Sequence, residues 1–455
     1  MLECVEPGSS LSRSELRSSF IEAATDAERV GIEVESAILN PVTGASIPYE
    51  GSRGIRVYLE TIQAQFGGTV CVENGNLLGL GFPDGSSLSL EHGGAIEYSS
   101  SPCANATGAV GQTYEMYRRL AAVADDLDLA LVPGGNFPFT GRSDVSWVPH
   151  LRGPIMRGYF RSLGAAGSHG PDIMSRTLST QVTFDYSDED DLIDKLGMQS
   201  AVSTFATAMF VNSPLESGQV SQSLSRRMDY WAGADARRTG IIPPALTDSL
   251  SIDALVDWSM SQPLMYRRHA DGRCSVAPTA PFGSLLASGF GDGTYPDVAD
   301  WRSHLTQVIS DVRVRRTLEI RAMDGPSFET FSSVPAFWTG LTYDASARRQ
   351  AWELVGEFTR DQHTAARLQI AKYGTGATIA GQPIKTFLAE LLQLSRQGLT
   401  TRVKDGVENP AILTWLDPLF DIVETGRTMA HVCRDLWQNA FSHDVRKYID
   451  FYRVR

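Results

Sequence analysis

The chain has 455 residues, 42% apolar and 20% charged, the balance of a soluble globular protein rather than a disordered one. A formal net charge of −13 without a basic stripe excludes nucleic acid as a partner, and no apolar run approaches the roughly 18 residues of a membrane span. The opening Met1-Leu2-Glu3-Cys4-Val5-Glu6 lacks the cationic segment and apolar core of a secretory signal. The scattered cysteines Cys4, Cys71, Cys103, Cys274 and Cys433 include no Cys-x-x-Cys pair, so they are read as reduced thiols of a cytoplasmic protein without a zinc site.

In chain order, Ser12 with Glu15 forms a capping box, and Leu16, Phe20 and Ala24 recur at helical spacing, which predicts a helix from Ser12 to Val30 stopped by Gly31. Ile32-Glu33-Val34-Glu35 alternates strictly and predicts a strand. A second helix is predicted over Val110 to Leu127, with Met116, Tyr117, Leu120 and Ala124 on one face. Residues 179 to 186 alternate again and predict a strand. Further helices are expected over Ser346 to Tyr373, Lys385 to Arg396 and Val423 to Trp437. The Gly- and Pro-rich stretches 132–142 and 271–297 are expected to be surface loops. This irregular order of helices and strands does not favour a doubly wound parallel sheet; one large α+β domain spanning 1–455 is the expectation.

The most informative pattern is where the carboxylates fall. Side chains alternate along a strand, so Glu33 and Glu35 share one face and Ile32 and Val34 the other. In Ser87-Leu88-Ser89-Leu90-Glu91, the leucines face the core and Glu91 stands with the serines. Ala95 and Glu97 share a face opposite Ile96 and Tyr98, and Glu319 lies between Leu318 and Ile320 with Arg321 pointing its way. Several glutamates on one sheet face repel each other at pH 7, an arrangement that hard cations between them make tolerable. Each alternation taken alone is also that of an ordinary half-exposed strand, and composition does not say that the segments converge. The chain contains no phosphate loop, dinucleotide fingerprint, His-Glu-x-x-His or nucleophile elbow.

Read in order, these segments resemble the plant and proteobacterial type of glutamate–cysteine ligase. Gly31-Ile-Glu-Val-Glu35 resembles that family's first acidic strand, and Leu88-Ser-Leu-Glu-His-Gly-Gly-Ala-Ile-Glu97 is similar to its Leu-Glu-Pro-Gly-Gly-Gln-Phe-Glu turn. Pro149 to Arg157, Arg176 to Asp185, Asn212-Ser-Pro214, Leu224-Ser-Arg-Arg227, Trp231 and Asp235-Ala-Arg-Arg-Thr-Gly240 follow in family order. Asp300 to Leu305, Leu318 to Gly325, Val334 to Trp338, Ser395 to Leu399 and Val423 to Gly426 continue it. The ordered set is specific where each motif alone is weak.

The resemblance implies an α+β fold of the glutamine-synthetase/guanido-kinase kind, with a curved, mainly antiparallel sheet forming an active-site funnel and helices packed outside. It implies an ATP- and Mg²⁺-dependent ligase in which ATP phosphorylates the γ-carboxylate of glutamate and the amine of cysteine displaces phosphate. By position, Glu33, Glu35, Glu91, Glu97, Gln181 and Glu319 match the family's metal ligands. Arg176, Arg238 and Arg321 match catalytic arginines, and Arg152, Arg227, Trp231 and Asn212 match substrate-binding residues. Guanidinium forks suit bidentate carboxylate and phosphate contacts.

The chain departs from the family pattern where His92 and Ala95 replace Pro and Gln in the turn. It departs again where Ser36 replaces a basic residue and where Leu151 and Gly153 flank Arg152. These are pocket positions, so the acceptor amine stays open while the metal set is intact. The alternatives are a related ligase of specialised metabolism that joins glutamate or another acid to a different amine, a catalytically silent scaffold, and a metal-dependent hydrolase that needs no ATP. Amino acids are the expected partners, with no nucleic acid or membrane, and the sequence does not give the oligomeric state.

Overall fold

The computed structural model describes residues 11–455, so Cys4 lies outside the described residues. Its centre is a nine-stranded sheet built on one long strand, β1 (Val30–Leu39). The other strands are β2 (Thr69–Glu73), β3 (Asn76–Gly81), β4 (Ser87–Leu90), β5 (Ile96–Ser99), β6 (Ala130–Pro133), β7 (Thr180–Phe184), β8 (Val312–Val314) and β9 (Leu318–Ile320). They run in the order β8-β9-β7-β1-β5-β4-β3-β2, with β6 beside β7 on the same edge of β1, and every pairing is antiparallel. β1 can hold three partners because it is long: Val30–Val34 pairs with β7, Glu33–Ser36 with β5, and Ser36–Leu39 with β6.

Alternation gives the sheet two unlike faces. Ile32, Val34, Leu88, Leu90, Ile96 and Tyr98 are buried against helices α2 (Ile55–Phe66) and α3 (Ala106–Asp126). Tyr117 of α3 donates its hydroxyl to the Val34 carbonyl at 2.8 Å, pinning that helix to β1. Towards the other end of the sheet, Val182, Phe184, Leu318 and Ile320 pack on the helices Glu189–Phe210 and Ser333–Tyr343. The opposite face carries Glu33, Glu35, Glu97, Gln181 and Glu319, and that polar face is where the site lies.

Several boundaries differ from the sequence expectation. The first helix, α1 (Arg13–Ile21), carries the expected capping box but stops nine residues early, because Val30 exchanges backbone hydrogen bonds with Cys103 at 2.8 and 2.9 Å and opens β1. The stretch 346–373 is two helices, Ala345–Val355 and Arg360–Tyr373, the second started by a Thr359 capping box with Gln362. The stretch 423–437 is cut by Gly426, which ends the helix Asp417–Thr425 in the left-handed region at φ 74. The 271–297 stretch is not all loop, since it contains a short strand, Cys274–Val276, and a helix, Phe282–Ser288. Among the described residues no helix is long and apolar enough to cross a membrane, and Cys71, Cys103, Cys274 and Cys433 are free.

Candidate active site

The register of β1 brings its glutamates to defined neighbours. Glu35 lies directly opposite Glu97 on β5, and Glu33 opposite Gln181 on β7. Glu91 joins them through the turn His92-Gly93-Gly94, closed by the Glu91 N–H on the Ala95 carbonyl at 2.8 Å. That turn requires its glycines: Gly94 sits at φ +88, and a Cβ on Gly93 would fall 1.9 Å from the Ser175 carbonyl oxygen. As a result, one carboxylate oxygen each from Glu35, Glu91 and Glu97 lie within 4.8 Å of one another.

Like charges facing each other across a strand pair are destabilising, and burial makes them more so. Burial first, then the neighbouring Glu91, pushes Glu35 up to about 7 against the pull of Arg227 and Arg321. Glu33 is likewise pushed up to about 7, by burial and then Glu319, and Glu97 is raised well above the carboxylate range by burial and its three glutamate neighbours. Among the described residues the cluster's hydrogen bonds come from neutral donors: Ser89 donates to Glu97 at 3.0 Å and the Gln181 amide to Glu35 at 3.2 Å. An all-carboxylate cluster this crowded has the donor chemistry of a hard, oxygen-preferring divalent cation, and a bound cation would remove the repulsion.

The other half of the cleft is basic. Glu319, 1% exposed, accepts from Arg313 at 2.8 and 2.9 Å, from Arg315 at 2.8 Å, and from Arg321. Burial disfavours its charge, but Arg313, then Arg321 and Arg315, outweigh that and hold its carboxyl well below the usual range. Arg321 also donates to the Gln181 oxygen at 2.7 Å, so the Gln181 amide bridges the acidic and basic halves. Between them opens a cleft of about 490 Å³, lined by Glu33, Glu91, Glu97, Arg313, Arg315 and Arg321 among others.

Of the residues singled out from the sequence, Glu33, Glu91, Glu97, Arg152, Trp231 and Arg321 line this cleft, while Glu35 and Gln181 are buried and reach it only through their neighbours, Glu35 beside Glu91 and Glu97 and Gln181 bonded to Arg321. Glu319, which by position matches a metal ligand of the family, is buried beside the cleft with its oxygens paired to Arg313, Arg315 and Arg321. Four others do not line the cleft. Arg238 is fully buried, donating to Asp235 at 2.9 Å, the Gln307 carbonyl at 3.0 Å, Tyr159 at 2.7 Å and the Pro263 carbonyl at 2.8 Å. Arg176 is buried on Asp172 and stacks 4.8 Å over Tyr230. Arg227 holds the backbone carbonyls of Ala322 and Arg321, both at 2.8 Å, and Asn212 donates to the Gly325 carbonyl at 2.9 Å. These four secure the segments that carry the site instead of facing into it.

Sequence reasoning missed Arg313 and Arg315, although Val312-Arg313-Val314-Arg315 alternates as clearly as β1 and register sets Arg313 opposite Glu319. It also missed a rim cluster in which Glu73 accepts from Arg268 at 2.9 Å and from the Leu151 N–H at 3.0 Å, fixing the loop that presents Arg152. His150 stands 3.7 Å from Glu73 and helps to hold that carboxyl down at about 2. His92, in the place of the family's Pro, is buried edge-on against His150 at 4.8 Å. Ser36 is turned to the helix side, 2.9 Å from the Tyr117 hydroxyl, so that departure leaves the cleft unchanged.

A family model described as glutamate-cysteine ligase family 2 matches residues 29–447. Chloroplastic glutamate–cysteine ligase B of Oryza sativa subsp. japonica is 28% identical over 449 residues, covering 97% of this chain and 87% of its own. The chloroplastic glutamate–cysteine ligase of Nicotiana tabacum is 28% identical over 92% of this chain and 78% of its own. Among solved structures, glutamate–cysteine ligase of Francisella tularensis in complex with AMP superposes with a TM-score of 0.53 at 12% identity, over 95% of this chain and 90% of that one. A bifunctional glutathione synthetase of Pasteurella multocida gives 0.53 at 11% identity, over 96% of this chain and 53% of that one. At such identities these two likenesses bear on the fold alone.

Proposed function

The chain belongs to the glutamate–cysteine ligase family 2, enzymes that join a carboxylate to an amine, and from that premise we propose that it makes γ-glutamylcysteine through an acyl phosphate. The observation that carries this reading is the division of one cleft into a carboxylate cluster, Glu35, Glu91 and Glu97, and an arginine cluster, Arg313, Arg315 and Arg321. Phosphoryl transfer asks for both. Arginines that face the transferring group stabilise the charge spread over its oxygens. Glu33, Glu35, Glu91 and Glu97 would hold Mg²⁺, whose contribution when bound is to neutralise the triphosphate.

In this scheme the γ-carboxylate oxygen of glutamate attacks the γ-phosphorus of ATP and ADP leaves. The amine of cysteine then attacks the acyl carbon, the C–O bond to phosphate breaks, and inorganic phosphate departs as the amine loses its proton. Arg152 and Trp231, which line the cleft, would orient the amino acids, and Gln181 fixes Arg321 through its amide oxygen. No enzyme nucleophile is needed, in keeping with the absence of any nucleophile elbow in the sequence. The products decide the matter. Incubation with ATP, Mg²⁺, glutamate and cysteine should yield ADP in step with the dipeptide, resolved by ion-exchange chromatography. A phosphinate or sulfoximine mimic of the tetrahedral adduct should be phosphorylated and retained with ADP. AMP appearing in step with product would refute the acyl-phosphate route, and glutamate joined only to other amines would refute cysteine as acceptor.

A further inference from the structure

Behind the cleft lies a second cavity of about 200 Å³ that the proposed reaction does not use. Its walls are the helix Arg226–Ala232, the segment from Ala236 to Ile241 and the helix Arg360–Tyr373. Trp231 lines both cavities and is the partition between them.

Two features mark this cavity as built for a ligand. His363, 1% exposed, borders it with neither ring nitrogen hydrogen-bonded, wedged edge-on between Phe205 at 6.0 Å and Phe358 at 6.2 Å. An orphaned buried donor or acceptor costs about 1–3 kcal/mol, so imidazole is a poor choice at a site that only needs filling. Burial pushes His363 down to about 4, so at neutral pH the ring offers one N–H donor and one bare acceptor. The second feature is charge: Arg360 and Arg367 both line the cavity and no acidic side chain does. Arg367 is paired with Asp311, whereas Arg360 has no carboxylate partner among the described residues and donates only to the Ala236 carbonyl at 3.1 Å. That leaves Arg360, exposed at the cavity's edge, as a positive charge without a carboxylate partner beside Met228, Ile241 and Trp231.

The geometry points to a second small-molecule site, separated from the cleft by Trp231, that takes a small monocarboxylic acid with an apolar or aromatic body. The carboxylate meets Arg360 and the free donors of Arg367, His363 supplies a neutral hydrogen bond, and the body packs on Met228 and the indole, where sulfur and ring contacts favour an aromatic group.

Phenylacetate is a suitable probe, and its binding to the full chain can be followed by isothermal titration calorimetry. One equivalent should bind with a Kd on the order of 0.1–1 mM, a realistic affinity for so few heavy atoms. Arg360→Gln, a surface change, and Ala232→Trp, which fills the mouth from an exposed helix end, should each weaken binding by about tenfold or more, the loss of one charge-assisted contact or of the space itself. Unchanged melting temperatures for both variants would separate this loss from misfolding. Arg315→Gln, in the cleft, should leave the affinity at the wild-type value. The proposal is overturned if phenylacetate gives no heat up to about 10 mM, which would leave the cavity to solvent alone. It is equally overturned if Arg315→Gln weakens binding as much as Arg360→Gln, which would put the acid in the cleft. None of these readouts depends on which reaction the enzyme performs.

Discussion

Replacing Glu35 by Gln should abolish turnover and yet stabilise the metal-free protein at alkaline pH. Glu35 is buried opposite Glu97, and its carboxyl is raised from 4.5 to about 7. Because its folded value exceeds its unfolded one, the native state binds the extra proton between those values, so stability falls as pH rises through that window. Above pH 7 the full penalty applies, on the order of 3 kcal/mol for a shift of this size. The introduced amide keeps the shape, and its oxygen can still accept from Gln181, so the substitution removes charge and little else. Unfolding entropy scales with length and reaches about 1 kcal/mol per K here, so the melting temperature in EDTA should rise by about 3 °C at pH 8 and hardly at all at pH 4.5. Differential scanning calorimetry at both pH values measures this. Adding Mg²⁺ should stabilise the wild type at pH 8 far more than the variant. A gain of equal size at both pH values would refute the electrostatic argument, and wild-type turnover in the variant would refute the role proposed for the cluster.

Glu319→Gln should behave oppositely, lowering stability by about 3–5 kcal/mol, because it strands Arg313 and Arg321 in a buried site without their counter-charge. A melting temperature within a degree of wild type would contradict it. Arg238→Lys retains the charge but cannot reproduce hydrogen bonds to Asp235, Gln307, Tyr159 and Pro263. The expected result is a loss of about 3 kcal/mol in chemical denaturation, with kcat/KM per folded molecule nearly unchanged, and a large fall in kcat/KM at full stability would return Arg238 to the reaction. Gln181→Glu removes the donor to Glu35 and adds a carboxylate to the cluster, so turnover should fall steeply and metal-free stability at pH 8 should drop by about 1–3 kcal/mol. Activity equal to wild type would sink the bridging role.

What the sequence disclosed follows from which interactions are local. Period-two alternation sets side-chain direction residue by residue, so Glu33 and Glu35 could be assigned to one face of their strand, and Glu97 to the polar side of its own, before any pairing was known. Glu91 is different: its convergence depends on a turn that a Cβ on Gly93 would block, so it was legible as a motif and not as a distance. Arg313 and Arg315 were equally visible as an alternation, but nothing local says that β8 pairs with β9 and turns two arginines onto Glu319. Arg176 and Arg238 show the reverse failure. A motif arginine reads the same whether it faces phosphate or is sealed against Asp172 or Asp235, since burial is decided by elements distant in the chain. The left-handed stop at Gly426 was written in the residue type, and the apolar spacing across it masked the break.

The position of Gln181 explains how two clusters of opposite sign can share one sheet face without collapsing onto each other. Left to pair directly, Arg321 would neutralise Glu35 as it does Glu319, and the acidic cluster would lose one of its three closely set carboxylates. An amide prevents this because it donates from one end and accepts at the other: its nitrogen satisfies Glu35 and its oxygen takes Arg321. A carboxylate in that place could serve only the arginine, and an ammonium only the glutamate. Glu319 completes the separation by drawing Arg313, Arg315 and Arg321 together on the far side. The polar face of the sheet therefore keeps a crowded negative half and an organised positive half, with one neutral side chain bonded to both.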